Sequence, residues 1–307
     1  MKLVAWGKSD TGRKRDHNED NFLVDGDLQL FAVADGMGGH QGGDTASELA
    51  LVVLKREVAE ASDDMAAKAQ ELEDARRELM LRGTQPVPHT EEISDDGDEP
   101  TEIGRNAGRA ETAPSTDDET EQQIEAIRPA ATVVMRAAAV EAGAAIFDAA
   151  LADSALRGMG TTLTAMLYNE GRMHLVHAGD SRAYLFREGK LQQLTDDHSW
   201  IAEQVRAGAM TEEEAKVSQF RHIITRSVGF ERQVEVDTRG IEVEAGDCFI
   251  MCSDGMSNYV ENNELETILA TTWYRRAPEV LIGLANERGG DDNITVIVVY
   301  VANDQSS

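Results

Sequence analysis

Apolar and polar positions alternate with two different periods along the chain, and these periods predict where strands and helices lie. Short β-prone runs at residues 3–6 and 28–33 are broken by Asp and Gly, as is typical of strands bounded by turns. A capping-box pattern at residues 45–48 precedes apolar positions at helical spacing, so we expect a helix that continues as far as Arg77. A second helix is predicted at 130–152, where an alanine-rich stretch resumes the same period.

The second half of the chain alternates short strands with turns. Two hairpins are predicted, one around Gly171 and one around Gly189, where glycine supplies the positive φ that tight turns need. Further strands are expected at 234–243, 247–253 and 294–301, and helices at 200–207, 212–217, 262–270 and 277–287. Hairpin-linked strands with helices in separate blocks indicate antiparallel sheets rather than βαβ units.

Between about residues 83 and 127 the periodic pattern dissolves. This stretch holds four of the six prolines, and residues 91–125 carry thirteen Asp or Glu against two Arg. High charge with little apolar content cannot offset the entropy cost of ordering, so we expect a disordered acidic insertion. Neither flank looks complete alone, and we therefore predict a single domain over 1–307 that this insertion interrupts.

Composition narrows the class of protein. A net charge of −28 disfavours nucleic acid and anionic membranes as partners. No stretch is expected to serve as a signal peptide or to reach the roughly 18 apolar residues of a membrane span. Cys248 and Cys252 on one strand would lie about 13 Å apart, too far for a disulfide. A soluble cytoplasmic protein is expected.

Acidic residues at the ends of apolar runs are the chemical feature of this sequence. They are Glu19-Asp20, Asp35, Asp180, Asp254 and Asp291-Asp292. Hard carboxylate oxygens without His or Cys companions suit Mg²⁺ or Mn²⁺ rather than zinc or copper. Each Asp alone is more readily a turn residue, since Asp-Gly is a common turn pair. Five such ends in one chain favour a metal site.

Six short motifs occur in the order in which one enzyme family carries them. They are Arg15-Asp-His-Asn-Glu-Asp-Asn21, Asp35-Gly-Met-Gly-Gly-His40, Gly160-Thr-Thr162, Ala178-Gly-Asp-Ser-Arg182, Ser253-Asp-Gly255 and Asp291-Asp-Asn-Ile-Thr295. With them the chain resembles the metal-dependent protein serine/threonine phosphatases (PPM, type 2C), and more closely their bacterial branch. The resemblance implies an α+β fold, a four-layer α-β-β-α sandwich of two antiparallel sheets flanked by helices.

The resemblance also implies the metal ligands. Asp35 would bridge two Mn²⁺ or Mg²⁺ ions, and Glu19 with the carbonyl of Gly36 would complete one site. The other ion would be held by Asp254 and Asp292. A third, more weakly bound ion would lie at Asp180 and share Asp254.

Two further residues receive roles in the reaction from the same resemblance. Arg15 would grip the substrate phosphate through its planar fork, and Asp20 would act on a metal-bound water without being a ligand itself. Two such ions lower the pKa of a bridging water that attacks phosphorus in line, so no covalent phospho-enzyme is needed.

Two departures from the family pattern concern the mechanism. Met37 stands where many eukaryotic relatives have a His proposed as the general acid, and His40 is as readily a loop residue, so the leaving-group proton donor is left unassigned. Residues 195–229 resemble the flap beside the active site. Residues 218–222 read Ser-Gln-Phe-Arg-His where many bacterial members have a His-Pro pair.

The resemblance thus implies a phosphatase that hydrolyses phosphoserine and phosphothreonine and opposes bacterial Ser/Thr kinases. Its expected partners are phosphorylated proteins, namely a kinase and its substrates, and it is expected to be a monomer. Two rival hypotheses stay open: an inactive relative that binds phosphoproteins, and a phosphatase confined to one partner. The acidic insertion is either a tolerated surface loop or a regulatory segment that a cognate kinase phosphorylates.

Overall fold

The computed structural model describes residues 1–38, 42–83, 129–216, 218–220 and 222–303, with the side chains of all these except 76–83 and 216. His40 and nearly all of the predicted insertion at 83–127 lie outside the described residues.

The described strands form two antiparallel sheets. The strands are β1 (Lys2–Asp10), β2 (Asp20–Asp25), β3 (Leu30–Met37), β4 (Gly160–Thr161), β5 (Leu163–Asn169), β6 (Arg172–Ala178), β7 (Arg182–Arg187), β8 (Lys190–Gln193), β9 (Asp237–Glu242), β10 (Cys248–Cys252) and β11 (Ile294–Ala302). Sheet one has the order β1-β11-β10-β7-β8, and sheet two has the order β2-β3-β5-β6-β9 with β4 paired to β3.

The helices of the described residues are α1 (Gly42–Ala61), α2 (Met65–Gly83), α3 (Ala130–Ala152), α4 (Trp200–Arg206), α5 (Glu212–Lys216), α6 (Asp254–Ser257), α7 (Asn262–Thr271) and α8 (Ala277–Glu287). Helices α1 and α3 cover the outer face of sheet two, α2 packs on α3, and α7 and α8 cover the outer face of sheet one. The four-layer α-β-β-α sandwich expected from the sequence is confirmed.

The interior between the two sheets is lined by buried apolar side chains. Phe31 and Met166 of sheet two meet Phe249 and Ile297 of sheet one, and all four side chains are buried. Buried apolar area of this kind contributes the larger part of the folding free energy. The packed core holds the ends of the surrounding strands in place. Polar groups at these strand ends therefore have fixed positions.

Both predicted hairpins are confirmed, with one refinement. Gly171 and Gly189 have φ values of 80° and 78°, but the residues before them, Glu170 and Glu188, are also left-handed at 49° and 51°. Positive φ at both central residues is the type I′ geometry whose twist matches that of paired strands.

The first helical segment differs from its prediction in two ways. Helix α1 begins at Gly42 rather than after a cap at Thr45, because Gly42 and Gly43 are buried in tight contact with the neighbouring chain. The segment also does not run unbroken to Arg77. It stops at Ala61, and α2 starts anew where the Asp64 side chain accepts a hydrogen bond from the backbone N–H of Ala67.

Helix α3 corrects the expectation that no segment is apolar enough to span a membrane. Its 23 residues meet that criterion by length and composition, with a mean hydropathy of 1.5. The helix is nevertheless part of the core, because Val134, Ala138 and Ile146 are buried against α1 and sheet two. Core helices of folded domains share this composition, so the helix carries no argument for a membrane.

Candidate active site

One edge of the sandwich collects carboxylates from both sheets. Asp20 begins β2 and is paired directly with Asp35 near the end of β3, so the two side chains lie on the same face of sheet two. Asp180 occupies the turn between β6 and β7, Asp254 is the first residue of α6 after β10, and Asp292 precedes β11. The strand-end acids singled out in the sequence thus meet here.

Threonines from the neighbouring strand hold the backbone around Asp35. The Thr162 hydroxyl accepts a hydrogen bond from the Asp35 N–H at 3.0 Å, and the Thr161 hydroxyl donates to the Asp35 carbonyl at 2.9 Å. The Thr162 hydroxyl also bonds to that of Ser181, 2.8 Å away, next to Asp180. These buried hydroxyls fix the spacing between the two carboxylates.

Asn293 fixes the loop that carries Glu19. Its side-chain carbonyl accepts the Glu19 N–H at 2.8 Å, and its amide group donates to the carbonyls of Thr11 and His17, each at 3.0 Å. One buried side chain therefore ties three points of residues 11–19 to the start of β11. In the sequence, Asn293 is one position of a motif, and its pattern alone predicts no such role.

Four glycines let backbone segments approach the site closely. A Cβ on Gly36 would collide with the Gly43 carbonyl, and one on Gly43 would stand 2.7 Å from the Glu19 carboxyl carbon. Gly12, at φ 82°, and Gly255 would collide with the backbone from 292 to 293. These contacts explain why glycine follows Asp35 and Asp254, beyond the turn chemistry that the sequence suggested.

The carboxyls of the site repel one another inside a poorly hydrated space. Burial, reinforced by Asp20 and Asp254, raises the pKa of Asp35 well above its ordinary value. Burial likewise raises the pKa of Asp20 to about 7 and that of Asp180 to about 8, with help from nearby Asp254. Burial and Asp292 raise the pKa of Asp254 to about 6. Such an arrangement is stable in ionised form only when positive charge is supplied.

The donor chemistry fits a hard divalent cation. One carboxylate oxygen each of Asp20, Asp180 and Asp254, Oδ1 in every case, is buried without a hydrogen-bond donor among the described residues. Buried acceptors normally have partners, and uncompensated carboxylate oxygens of this kind suit hard cations such as Mg²⁺ or Mn²⁺. In the described part of the chain no three His, Cys, Asp or Glu side chains form a closed ligand cluster. A cation would therefore have to draw the carboxylates together.

Two side chains of the loop from 11 to 19 contact the acids. Arg15 donates from Nη2 to Asp292 Oδ2 at 2.7 Å, and the Nε2 atom of His17 lies 3.2 Å from Glu19 Oε1. Although burial opposes it, the negative charge of Asp292 and of Glu19 raises the pKa of Arg15. Arg15, predicted to bind phosphate, is thus paired here with a predicted metal ligand.

The segment predicted to be a flap is anchored beside Asp180. Arg182 makes a bidentate ion pair with Asp197, in which Nη2 lies 2.7 Å from Oδ2. His198 accepts the Gly179 N–H through Nδ1 at 3.1 Å. From the far end of the segment, the charge of His222 lowers the pKa of Asp254 and so opposes the larger effects of burial and Asp292.

Comparison with known proteins gives one consistent family. Residues 9–281 match the family model described as protein phosphatase 2C. The serine/threonine phosphatase stp of Listeria monocytogenes is 33% identical over 297 residues, which cover 95% of this chain and 93% of that protein.

Solved structures agree with the sequence matches. The crystal structure of the Mycobacterium tuberculosis serine/threonine phosphatase PstP/Ppp has a TM-score of 0.72 and 29% identity, and the similarity covers 99% of this chain and 100% of that one. The catalytic domain of PstP in complex with 2 manganese ions has a TM-score of 0.69 and 30% identity, covering 98% and 99%.

Proposed function

Because the chain belongs to the protein phosphatase 2C family, and is therefore a protein serine/threonine phosphatase, we propose that it hydrolyses phosphoserine and phosphothreonine at a binuclear metal site and opposes Ser/Thr kinases. The observation that carries this proposal is the set of buried carboxylate oxygens without donors at the sheet edge. The manganese complex of the related catalytic domain supports the choice of metal.

The residues that would hold the cations are those predicted from the sequence. Asp35 would be shared by two Mn²⁺ or Mg²⁺ ions, Glu19 and the Gly36 carbonyl would serve one of them, and Asp254 and Asp292 the other. When bound, the two ions supply the positive charge that acidifies a water molecule and neutralises the phosphoryl oxygens.

A third, weaker cation at Asp180 is part of the same proposal. Its support is the unpartnered Asp180 Oδ1 and the raised pKa of about 8, caused by burial and by Asp254.

Arg15 and Asp20 supply the chain's own contribution to the reaction. Arg15 lies at the rim, half exposed, and its planar fork would bind two phosphoryl oxygens and orient the ester for in-line attack. Asp20 is buried with one unpartnered oxygen, through which it would orient the attacking water. The two residues thus act on opposite reactants, one on the phosphate and the other on the nucleophile.

The two cysteines are poorly placed to form a covalent intermediate. Cys248 and Cys252 are fully buried on β10, and burial raises the pKa of each thiol, so neither is a ready nucleophile. Direct attack by water is therefore favoured. No predicted ligand carboxylate is missing, so nothing in the site favours the inactive, binding-only alternative.

The sharpest test compares phosphopeptides with and without metal. Purified protein should release phosphate from phosphoserine and phosphothreonine peptides only with Mn²⁺ or Mg²⁺, and much more slowly from a phosphotyrosine peptide. Equal rates in excess chelator would contradict the metal mechanism. Phosphoproteomes of cells with and without the protein would identify its substrates, and an unchanged set of kinase targets would contradict opposition to Ser/Thr kinases.

We also propose that residues 1–307 form one domain, interrupted at about 83–127, that acts as a cytoplasmic monomer on a kinase and its substrates. The support for one domain is that the family match runs from 9 to 281 across the interruption. Size-exclusion chromatography with light scattering and cell fractionation test the remaining points.

A further inference from the structure

A ring of hydrogen bonds passes behind Asp20 and joins the two sheets. The Ser253 hydroxyl donates to Asp20 Oδ2 at 2.8 Å and accepts the Thr295 N–H at 2.9 Å. The Thr295 hydroxyl lies 2.7 Å from that of Ser9, which accepts the Asn18 amide at 2.8 Å. Asn18 closes the ring by accepting the Asp20 N–H at 3.2 Å.

The ring is assembled from distant parts of the chain and is sealed from water at its centre. Ser9 on β1 is paired in register with Thr295 on β11, while Ser253 follows β10 in the same sheet. Ser253 and Thr295 are completely buried, and Asp20 is 5% exposed. Because buried hydrogen bonds cannot be replaced by water, each link restricts its neighbours.

The donor directions converge on the carboxylate. Ser9 accepts from Asn18, so its own proton can go to Thr295. The Thr295 side chain also bonds to Asp20, so the Thr295 hydroxyl proton is free to go to that carboxylate. Ser253 already accepts from the Thr295 backbone and donates to Asp20 Oδ2. One oxygen of Asp20 is thereby occupied, and Oδ1 is the oxygen without a donor.

We propose that Ser253, Thr295 and Ser9 are positioning residues, which hold the Asp20 carboxylate so that its Oδ1 atom faces the reacting water. This inference rests on the proposed function and adds the residues that orient the Asp20 carboxylate. It assigns a role to Ser9, which lies outside every motif, and to the hydroxyls of Ser253 and Thr295, whose motifs gave them none.

Paired variants distinguish a role in positioning Asp20 from a purely structural role in joining the two sheets. Thr295→Val removes the hydroxyl at constant shape, whereas Thr295→Ser keeps it, and Ser253→Ala removes the direct donor. With p-nitrophenyl phosphate and saturating Mn²⁺, Thr295→Val and Ser253→Ala should lower kcat roughly 10- to 100-fold, the usual effect of losing an outer partner. KM should change little, and Thr295→Ser should retain most of kcat.

Combination with Asp20→Ala is the decisive measurement. If the hydroxyls act through Asp20, then Thr295→Val should cause no further loss of kcat in the Asp20→Ala background. The same cycle, measured by urea unfolding of the metal-free protein, should show coupling between Ser253 and Asp20 without any catalysis. Ser9→Ala, at the half-buried side of the ring, gives a third variant should either buried substitution fail to fold.

Thr132→Val is the matched control. Thr132 is a buried threonine of α3 whose hydroxyl bonds to His174 Nδ1 at 2.8 Å, outside the ring. This variant should lose thermal stability as Thr295→Val does while keeping the kcat of the wild-type protein.

Two outcomes are contrary to the proposal and can be told apart. Losses of kcat that add to that of Asp20→Ala, or equal losses in Thr295→Ser and Thr295→Val, would overturn the positioning role alone. Wild-type protein without Mn²⁺-dependent phosphatase activity would overturn the proposed function itself.

Discussion

Arg15 and Asp292 form an ion pair, with Nη2 and Oδ2 2.7 Å apart, at the rim of the carboxylate cluster. Their side chains are 48% and 30% exposed, so a dissolved phosphate can reach one partner and a cation the other. A cation bound by Asp292 would weaken its hold on Arg15 and free the guanidinium for phosphate. Metal and substrate binding should therefore be cooperative.

This pair leads to a prediction about Arg15→Ala. A hydrogen bond to a charged group contributes about 1.5–3 kcal/mol, so kcat/KM for p-nitrophenyl phosphate should fall roughly 10- to 100-fold. Most of the loss should lie in KM, and Arg15→Lys should restore little because lysine lacks the planar fork. Steady-state kinetics at saturating Mn²⁺ measure kcat and KM. A wild-type KM in Arg15→Ala would show that Arg15 does not bind the phosphate.

Metal removal should change stability as well as activity. The repelling carboxyls of the site leave the metal-free protein strained, and a cation that binds only the folded state stabilises it by mass action. Addition of Mn²⁺ at a hundred times its Kd should stabilise the protein by about 2.7 kcal/mol per site. Differential scanning fluorimetry with Mn²⁺, Mg²⁺ or chelator measures this shift; identical melting curves would argue against a built cation site.

Asp35→Asn should separate catalysis from folding. Because burial and neighbouring carboxyls raise the pKa of Asp35, ionising it costs folding free energy as pH rises above the unfolded value of 3.8. The neutral amide removes that cost, so the metal-free variant should unfold at the same or a higher temperature than wild type at pH 8. Turnover should be nearly abolished and the Mn²⁺-induced stabilisation largely lost. Near wild-type kcat would show that Asp35 is not the shared ligand.

His177 should make the protein sensitive to mild acid. Burial, with repulsion from the His198 ring 4.7 Å away, lowers the pKa of His177 from 6.5 to about 4. Between pH 6.5 and 4, His177 is therefore protonated in the unfolded chain but neutral in the folded chain. The contribution of His177 to folding stability is fully present above pH 6.5 and is lost as the pH falls toward 4. Between pH 7.5 and 5 this amounts to about 2 kcal/mol.

His177→Gln tests this assignment. Urea unfolding of wild type and variant at both pH values isolates the His177 contribution, because the carboxyls titrate in both proteins. The variant should lose about 2 kcal/mol less than wild type on acidification. Parallel pH profiles of the two proteins would place the acid sensitivity elsewhere.

Deleting residues 84–126 should leave the domain intact. Helices α2 and α3, which flank this stretch, pack on each other, and Arg136 pairs with Glu73 at 2.9 Å. Shortening a long connection changes its closure entropy little, so the melting temperature and kcat on p-nitrophenyl phosphate should stay near wild type. A changed kcat/KM on a phosphorylated kinase would favour the regulatory hypothesis over the tolerated loop. Unfolding of the deletion variant would rule out both.

The cluster of carboxylates could be predicted from sequence because its signal is local. Each acid borders an apolar run, and strand ends in an antiparallel sandwich meet at common edges. The pairing of Asp20 with Asp35 needs only one short hairpin. The positions of Asp180 and Asp254 follow from the same rule, which explains why the acids of separate motifs lie at one edge of the fold.

The supporting contacts could not be predicted, since they depend on packing between distant segments. Ser9 and Thr295 are 286 positions apart and meet only because β1 and β11 are neighbours. The start of α1 differs from its prediction for a related reason, because a tertiary contact at Gly43 outweighs the local capping signal at Thr45.

The close approach of Gly12 and Gly255 to the backbone from 292 to 293 has a consequence for genetics. Neither residue has a side chain that reacts or binds, yet any replacement would displace Asp292 and Asn293 together. In a saturation mutagenesis scored by phosphatase activity, these two positions should tolerate as few amino acids as Asp35 does. A ranking of sites by intolerance would thus include residues that take no part in the chemistry, and only the folded geometry distinguishes them from those that do.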